Sequence, residues 1–164
     1  MSEPDPSAWI ASIAEILDDV GVDWAIVGAL AANRYRSTPR FTTDLDAMAT
    51  FDPELVHRFK GAGYDVTVVS DPGELPHMLR CRRGSEAVDI LIPIIEYQRV
   101  ALARSQDHVL TAEDVVIHKL IAGRRRDLDD VRSIIEAGAD LDLAYIDEWV
   151  DVWELGERWD QFRP

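Results

Sequence analysis

A single cysteine, Cys81, occurs in the 164 residues, which excludes an internal disulfide framework and suits a reducing compartment. It stands between Arg80 and Arg82, a setting that can raise thiol reactivity, although an inert thiol is the plainer reading. No run approaches the roughly 18 uncharged apolar residues of a membrane span. The segment from Met1 to Trp9 is acidic and has no basic stretch leading into an apolar core, so no signal peptide is expected. These features predict a cytoplasmic protein with no membrane partner. Positive charge is also scarce: 17 Lys and Arg face 31 Asp and Glu, a formal net charge of −14. Coating nucleic acid through its backbone needs a basic surface, so that class of function is excluded. An excess of carboxylates suits the collection of divalent cations, and equally suits a plain solvated surface. The two best-known phosphate loops, G-x-G-x-x-G and G-x-x-x-x-G-K-[ST], are missing. Repeats, low-complexity tracts and dividing linkers are missing as well.

What is present is an ordinary globular composition, 47% apolar and 29% charged, long enough for one domain with a real core. Ile10, Ile13, Leu17 and Val20 recur at helical spacing and Gly21 ends the run. Trp24 to Val27 reads as a short buried strand stopped at Gly28, and Ala29 to Arg34 as a helix. Arg40 to Thr43 leads into a strand over Asp44 to Ala49. Asp52-Pro53 marks a helix start, closed by Gly61 and Gly63. Tyr64 to Val69 is β-rich, and Met78 to Arg82 with Ala87 to Ile92 reads as a hairpin turning at Arg83-Gly84. Glu96 to Arg104 is helical. Thr111 to Asp114 resembles a capping box opening a helix through Ile121. Arg124-Arg125-Arg126 reads as a basic break before a further helix over Asp127 to Ala137. Ile146, Trp149, Val150, Trp153 and Trp159 mark an amphipathic helical tail. The expected fold class is therefore α/β (α+β): an α/β core over 1–105 with a mixed sheet flanked by helices, and a helical region over 106–164 packed on it.

Asp44 and Asp46 lie two apart in a strand, so their carboxylates share a face. Two like charges held that close are unfavourable unless a cation sits with them. Mg²⁺ held by carboxylates and substrate phosphates is the usual arrangement for phosphoryl or nucleotidyl transfer, and this pair could hold two ions. The tripeptide Asp-Leu-Asp is not rare here. It recurs from Asp127 and from Asp140, where helix capping explains it. Asp89 interrupts the apolar strand Ala87 to Ile92, and a buried carboxylate needs a partner. That partner is either an arginine across the hairpin, Arg80 or Arg82, or a metal shared with Asp44 and Asp46. Gly28 either makes a tight turn or lets a phosphate approach the backbone.

In order and spacing, Val27 to Ala31, Arg40 to Asp46 and Val88 to Leu91 together resemble the minimal nucleotidyltransferase core. Leu110 to Leu120 and Arg124 to Asp130 resemble the AbiEii-like branch of that superfamily, which includes toxins of toxin–antitoxin systems. The resemblance implies a metal-dependent transferase moving a nucleoside monophosphate from an NTP to a hydroxyl acceptor, with two Mg²⁺ ions as cofactor. It implies Asp44, Asp46 and Asp89 as catalytic metal ligands. It implies Gly28, Ala29, Arg40, Thr43, Lys119, Arg124, Arg126 and Asp127 as the nucleotide-binding set, with Asp127 or Asp130 orienting Lys119. The acceptor it implies is a tRNA 3′ end, a protein or a small molecule, as in antibiotic-modifying nucleotidyltransferases, and a cognate antitoxin is an expected partner. Residue by residue, Lys119 also fits a solvated helix position, and the three arginines also fit charge at a helix C-terminus. Where the superfamily has Gly-Ser or Gly-Gly, this chain has Gly28-Ala29. That departure supports a second reading, a catalytically weak binding or regulatory module. Under it Trp149, Trp153 and Trp159 would dock a partner or a second copy, against packing in the core as the alternative.

Overall fold

Helix α1 (Pro6–Val20) buries Ile13 and Leu17, and Gly21 takes the left-handed conformation at its end. The structure, a computed structural model, describes residues 6–164. Strand β1 (Trp24–Ile26) follows, then α2 (Gly28–Asn33) and β2 (Asp44–Ala49). In α3 (Pro53–Gly61) the Asp52 carboxylate accepts from Glu54 N at 2.8 Å, with proline in the first turn. Strands β3 (Asp65–Val69), β4 (Met78–Arg83) and β5 (Glu86–Leu91) complete a five-stranded mixed sheet in the order β1-β2-β5-β4-β3. Only β2 and β5 pair in parallel; the other pairs are antiparallel. The chain ends in α4 (Glu96–Arg104), α5 (Ala112–Ala122), α6 (Arg125–Glu136), α7 (Leu143–Val152) and α8 (Gly156–Asp160). The expected mixed sheet flanked by helices is the observed fold. Among the described residues no helix is long and apolar enough to cross a membrane.

The alternation of β2 and β5 divides the molecule into layers. Leu45, Ala47, Val88 and Ile90, with Leu79 and Cys81 of β4, are fully buried or nearly so and pack on Leu17, Leu55 and Phe59 of α1 and α3. Each large side chain so buried contributes about 1.5–3 kcal/mol. Cys81 belongs to this layer, and burial pushes its thiol up to about 12, so the inert reading holds. The opposite face carries the carboxylates at one end. Elsewhere it packs Met48, Ala25 and Val27 on a second core from the C-terminal helices, among them Val116, Leu120, Ile134 and Ile146.

Three local features differ from expectation. The basic triplet is not a break: Gly123, left-handed at φ +65°, ends α5, Arg124 caps α6, and Arg125 and Arg126 lie inside it. Asp114 does not reach back to the capped backbone as in a capping box. It is fully buried and accepts from Thr111 Oγ1 (2.9 Å), Tyr145 Oη (2.6 Å) and Arg104 Nε (3.2 Å), which ties α4, α5 and α7 together. The tryptophan tail turns inward. Trp159 is buried and donates to Asp147 at 2.8 Å, Trp149 is partly buried and packs on Tyr97, and Trp153 is the most exposed of the three. The capping reading of the later Asp-Leu-Asp copies does hold: Asp127 accepts from Arg124 N and Asp142 from Tyr145 N.

Candidate active site

On the helix-facing side of the sheet, register places Asp46 of β2 directly beside Asp89 of β5, with Arg80 of β4 on the far side of Asp89. One step along, Asp44 pairs with Ala87 and Ala87 with Arg82. The expected strand and shared face for Asp44, Asp46 and Asp89 are therefore present. Asp89 is half-buried rather than buried, and Arg82 Nη1 stands 2.7 Å from its Oδ1 as a diagonal ion pair. Nη1 spends its hydrogens on Cys81 O (3.0 Å) and Val88 O (3.2 Å). Asp89 Oδ1 has no exposed surface, and this close charge pair, rather than a hydrogen bond of good geometry, is its contact. Asp44 is exposed at the start of β2 and accepts from Thr43 Oγ1 at 3.1 Å. Drawn apart in this way, the three carboxylates do not converge as a cage. Among the described residues no three Asp, Glu, His or Cys side chains group closely enough to hold one ion.

Gly28 makes the turn after β1 with φ +63°. The Asp46 carboxylate lies against it: a Cβ built on Gly28 would meet Asp46 Oδ2 and would stand 3.0 Å from its Cβ and 3.1 Å from its Cγ. Val27 N donates to Asp46 O at 2.9 Å and fixes the turn to the strand. Gly28→Ala should therefore displace Asp46 as well as strain the left-handed backbone, which alone costs about 1–2 kcal/mol. The expected result is a lowered Tm; a Tm equal to the wild type's would rule out this packing role. Ala29 is buried and does not line the cavity beside Asp46, so its methyl group does not fill that space.

Across the cavity, α5 and α6 present a charged cluster. Lys119 has only 8% of its side chain exposed, and its Nζ lies 2.9 Å from Asp130 Oδ2 and 3.3 Å from Asp127 Oδ1. Arg124 Nε reaches Asp127 Oδ2 at 2.7 Å. Asp130, fully buried, also receives Arg40 through Nε (3.0 Å) and Nη2 (3.1 Å), and Arg36 through Nη1. Burial pulls both carboxyls upward, but the hydrogen bonds from Arg124, Arg40 and Lys119 hold Asp127 and Asp130 below the usual carboxylate range. Lys119 is thus not a solvated helix residue, and both Asp127 and Asp130 orient it. Gly28, Lys119, Arg124 and Asp127 line the cavity of 220 Å³ with Asp46 and Asp89. Arg40 and Thr43 serve as partners of Asp130 and Asp44 outside it, and Arg126 is exposed on α6. His118, inside the Leu110 to Leu120 segment but assigned no role there, also lines the cavity.

Asp46 is held above the usual carboxylate range, first by burial and then by the charges of Asp89 and Asp44, with Lys119 and Arg124 opposing. A cation beside Asp46 and Asp89 would relieve this repulsion, which is the feature of the pair that suits a metal.

No family model matches the chain, and no curated protein matches it. Solved structures do. The solution structure of the antibiotic-resistance factor ANT(2″)-Ia aligns over 94% of this chain and 91% of its own, with TM-score 0.59 at 16% identity. Its crystal structure in complex with adenylyl-2″-tobramycin aligns over 90% and 95%, with TM-score 0.61 at 13% identity. A Thermotoga maritima protein, provisionally named a nucleotidyltransferase, aligns over 80% and 93%, with TM-score 0.52 at 16% identity. The neighbours are nucleotidyltransferases and nucleotidyltransferase-like proteins. At these identities the likeness defines the class of fold: a nucleotidyltransferase-like mixed sheet flanked by helices.

Proposed function

We propose that this protein is a metal-dependent nucleotidyltransferase that moves a nucleoside monophosphate from an NTP to a hydroxyl group of a small molecule. The observation that carries the reading is the row made by Gly28, Asp46 and Asp89 facing Lys119 and Arg124 across one cavity. Asp46 and Asp89, with Asp44 at the rim, would hold Mg²⁺, which when bound neutralises phosphate charge and lowers the pKa of the attacking hydroxyl. In the reaction the acceptor oxygen attacks the α-phosphorus and the bond to the bridging oxygen of the departing pyrophosphate breaks. Asp89, freed from Arg82, is placed to take the hydroxyl proton. Lys119 and Arg124, fixed by Asp127 and Asp130, supply positive charge to the phosphates.

A small acceptor is favoured over a tRNA end. Arg36 and Arg40 are committed to Asp130, and Arg34 faces Asp107 at 3.4 Å, which leaves few arginines free to grip RNA. The net charge of −14 suits a cationic acceptor. ANT(2″)-Ia, seen with adenylyl-2″-tobramycin, is matched along nearly its whole length. The motifs resembling the AbiEii-like branch coincide with the Lys119–Asp127–Asp130 cluster, and we take them as the phosphate-facing half of the site. The test is calorimetric titration of the four NTPs with Mg²⁺ into the wild type and Asp44→Asn/Asp46→Asn, followed by labelled transfer to tobramycin and to tRNA. Metal-dependent binding lost in the double variant supports the site. No binding by the wild type would hand the lead to the regulatory reading.

A further inference from the structure

The active-site cavity has a charged end and an apolar end. Two positions along β5 from Asp89 lies Leu91, paired with Met78 of β4. One turn back along α5 from Lys119 lies Val115, with Leu110 just before the helix. All four apolar residues line the same 220 Å³ space as Asp46, Lys119 and Arg124. His118 lines it too, and its ring is unexplained. Nε2 has no hydrogen-bond partner among the described residues and is shut off from solvent, although the residue as a whole is only partly buried. Its one ring contact is with Tyr97, tilted at 53° with centroids 5.3 Å apart.

We infer that His118 reads the nucleobase of the NTP, a proposal that rests on the transferase reading above. A buried polar atom without a partner is unfavourable and rare, and it marks a position completed by a ligand. The partner's chemistry follows from the ring's state. Burial, with Lys119 adding to it and Asp114 opposing, holds the imidazole pKa down to about 4, so the ring is neutral near pH 7. A neutral imidazole offers one donor and one acceptor and no charge. It therefore suits an uncharged polar edge in an apolar slot, whereas a phosphate is served by Lys119 and Arg124. The base is the flat, uncharged part of an NTP, and with the phosphates at the charged end it falls to the apolar end. A site that hydrogen-bonds one edge discriminates against bases that present another.

The experiment measures affinities of the four NTPs and of inorganic tripolyphosphate, each with Mg²⁺, for the wild type, His118→Ala and His118→Gln. The ¹⁵N resonances of the His118 ring are followed in the wild-type titrations. The wild type is expected to prefer one base, and His118→Ala to lose on the order of tenfold for that NTP alone. Tripolyphosphate affinity should stay unchanged, His118→Gln should recover part of the preference, and the ring resonances should move with NTP but not with tripolyphosphate. An unchanged spread among the four NTPs in His118→Ala, or equal ring shifts with tripolyphosphate, overturns the base-reading role and leaves the transferase reading standing. Absence of both NTP and tripolyphosphate binding in the wild type overturns both. Should His118→Ala fail to fold, the glutamine variant and the ring resonances of the wild type still decide the question.

Discussion

Asp130→Asn should lose about 3–5 kcal/mol of stability, the penalty for breaking a buried ion pair from one side. Asp130 has no exposed side-chain surface and answers Lys119, Arg40 and Arg36 at once. An asparagine of the same shape keeps one acceptor and removes the charge, leaving Lys119 to share Asp127 with Arg124 and leaving Arg36 and Arg40 without a carboxylate. Against a total of about 5–15 kcal/mol for an ordinary domain, that is a large share. The neighbouring Asp129→Asn is the control. Asp129 is 58% exposed and meets Arg132 only at 3.7 Å, so its loss should change stability by less than about 0.5 kcal/mol. Urea midpoints of the two variants beside the wild type decide the matter, and equal midpoints would show that the cluster carries no net stability. The pH dependence has a definite sign. Asp127 and Asp130 are depressed in the folded protein, so their contribution is complete above the unfolded carboxylate pKa of about 3.9. It is lost as pH falls through the lower folded values.

Asp46→Asn should have opposite effects on activity and stability. Under the proposed function transfer should fall by a factor on the order of 10³ or more, because losing a carboxylate that holds the metal forfeits several kcal/mol of transition-state stabilisation. Without nucleotide or metal, however, the variant should be the more stable protein at pH 7. The Asp46 carboxyl is raised in the folded state, so the folded chain binds that proton more tightly than the unfolded one. Stability is then lost as pH rises from the unfolded value through the folded one, and the neutral amide escapes that loss. A gain on the order of 1 kcal/mol, a few degrees in Tm, is expected near neutrality and should vanish in acid. A Tm below the wild type's at pH 7 would contradict the electrostatic account of the site.

Much of this architecture is legible in the chain because it rests on local signals. The strand bearing Asp44 and Asp46 alternates acid and apolar residues, Gly28 stands where a strand stops, and Asp52-Pro53 caps a helix. Asp89 was also legible as needing a partner, and the arginine option, Arg82, is the contact observed. What the sequence hid is pairing over long separations. Nothing near Arg40 reveals that Asp130 holds it, and nothing in the helix pattern marks Asp114 as a buried hub for Thr111, Tyr145 and Arg104. The arginine triplet misled because charge there suggested a loop, whereas Gly123 alone supplies the left-handed residue that ends α5. His118 is silent in sequence because its meaning lies in a hydrogen bond it does not make.

The parallel pairing of β2 with β5 also governs when the site can exist. Asp46 and Asp89 meet only after α3, β3 and β4 have looped between them and β4 has turned back onto β5. Such contacts between distant parts of a chain form late, because loop closure must be met before they stabilise anything. The nascent chain therefore lacks the proposed nucleotide site until its second half has emerged and folded. In a refolding experiment, quenching of a fluorescent NTP analogue should lag behind the recovery of helical signal, and its arrival would mark the completed native state.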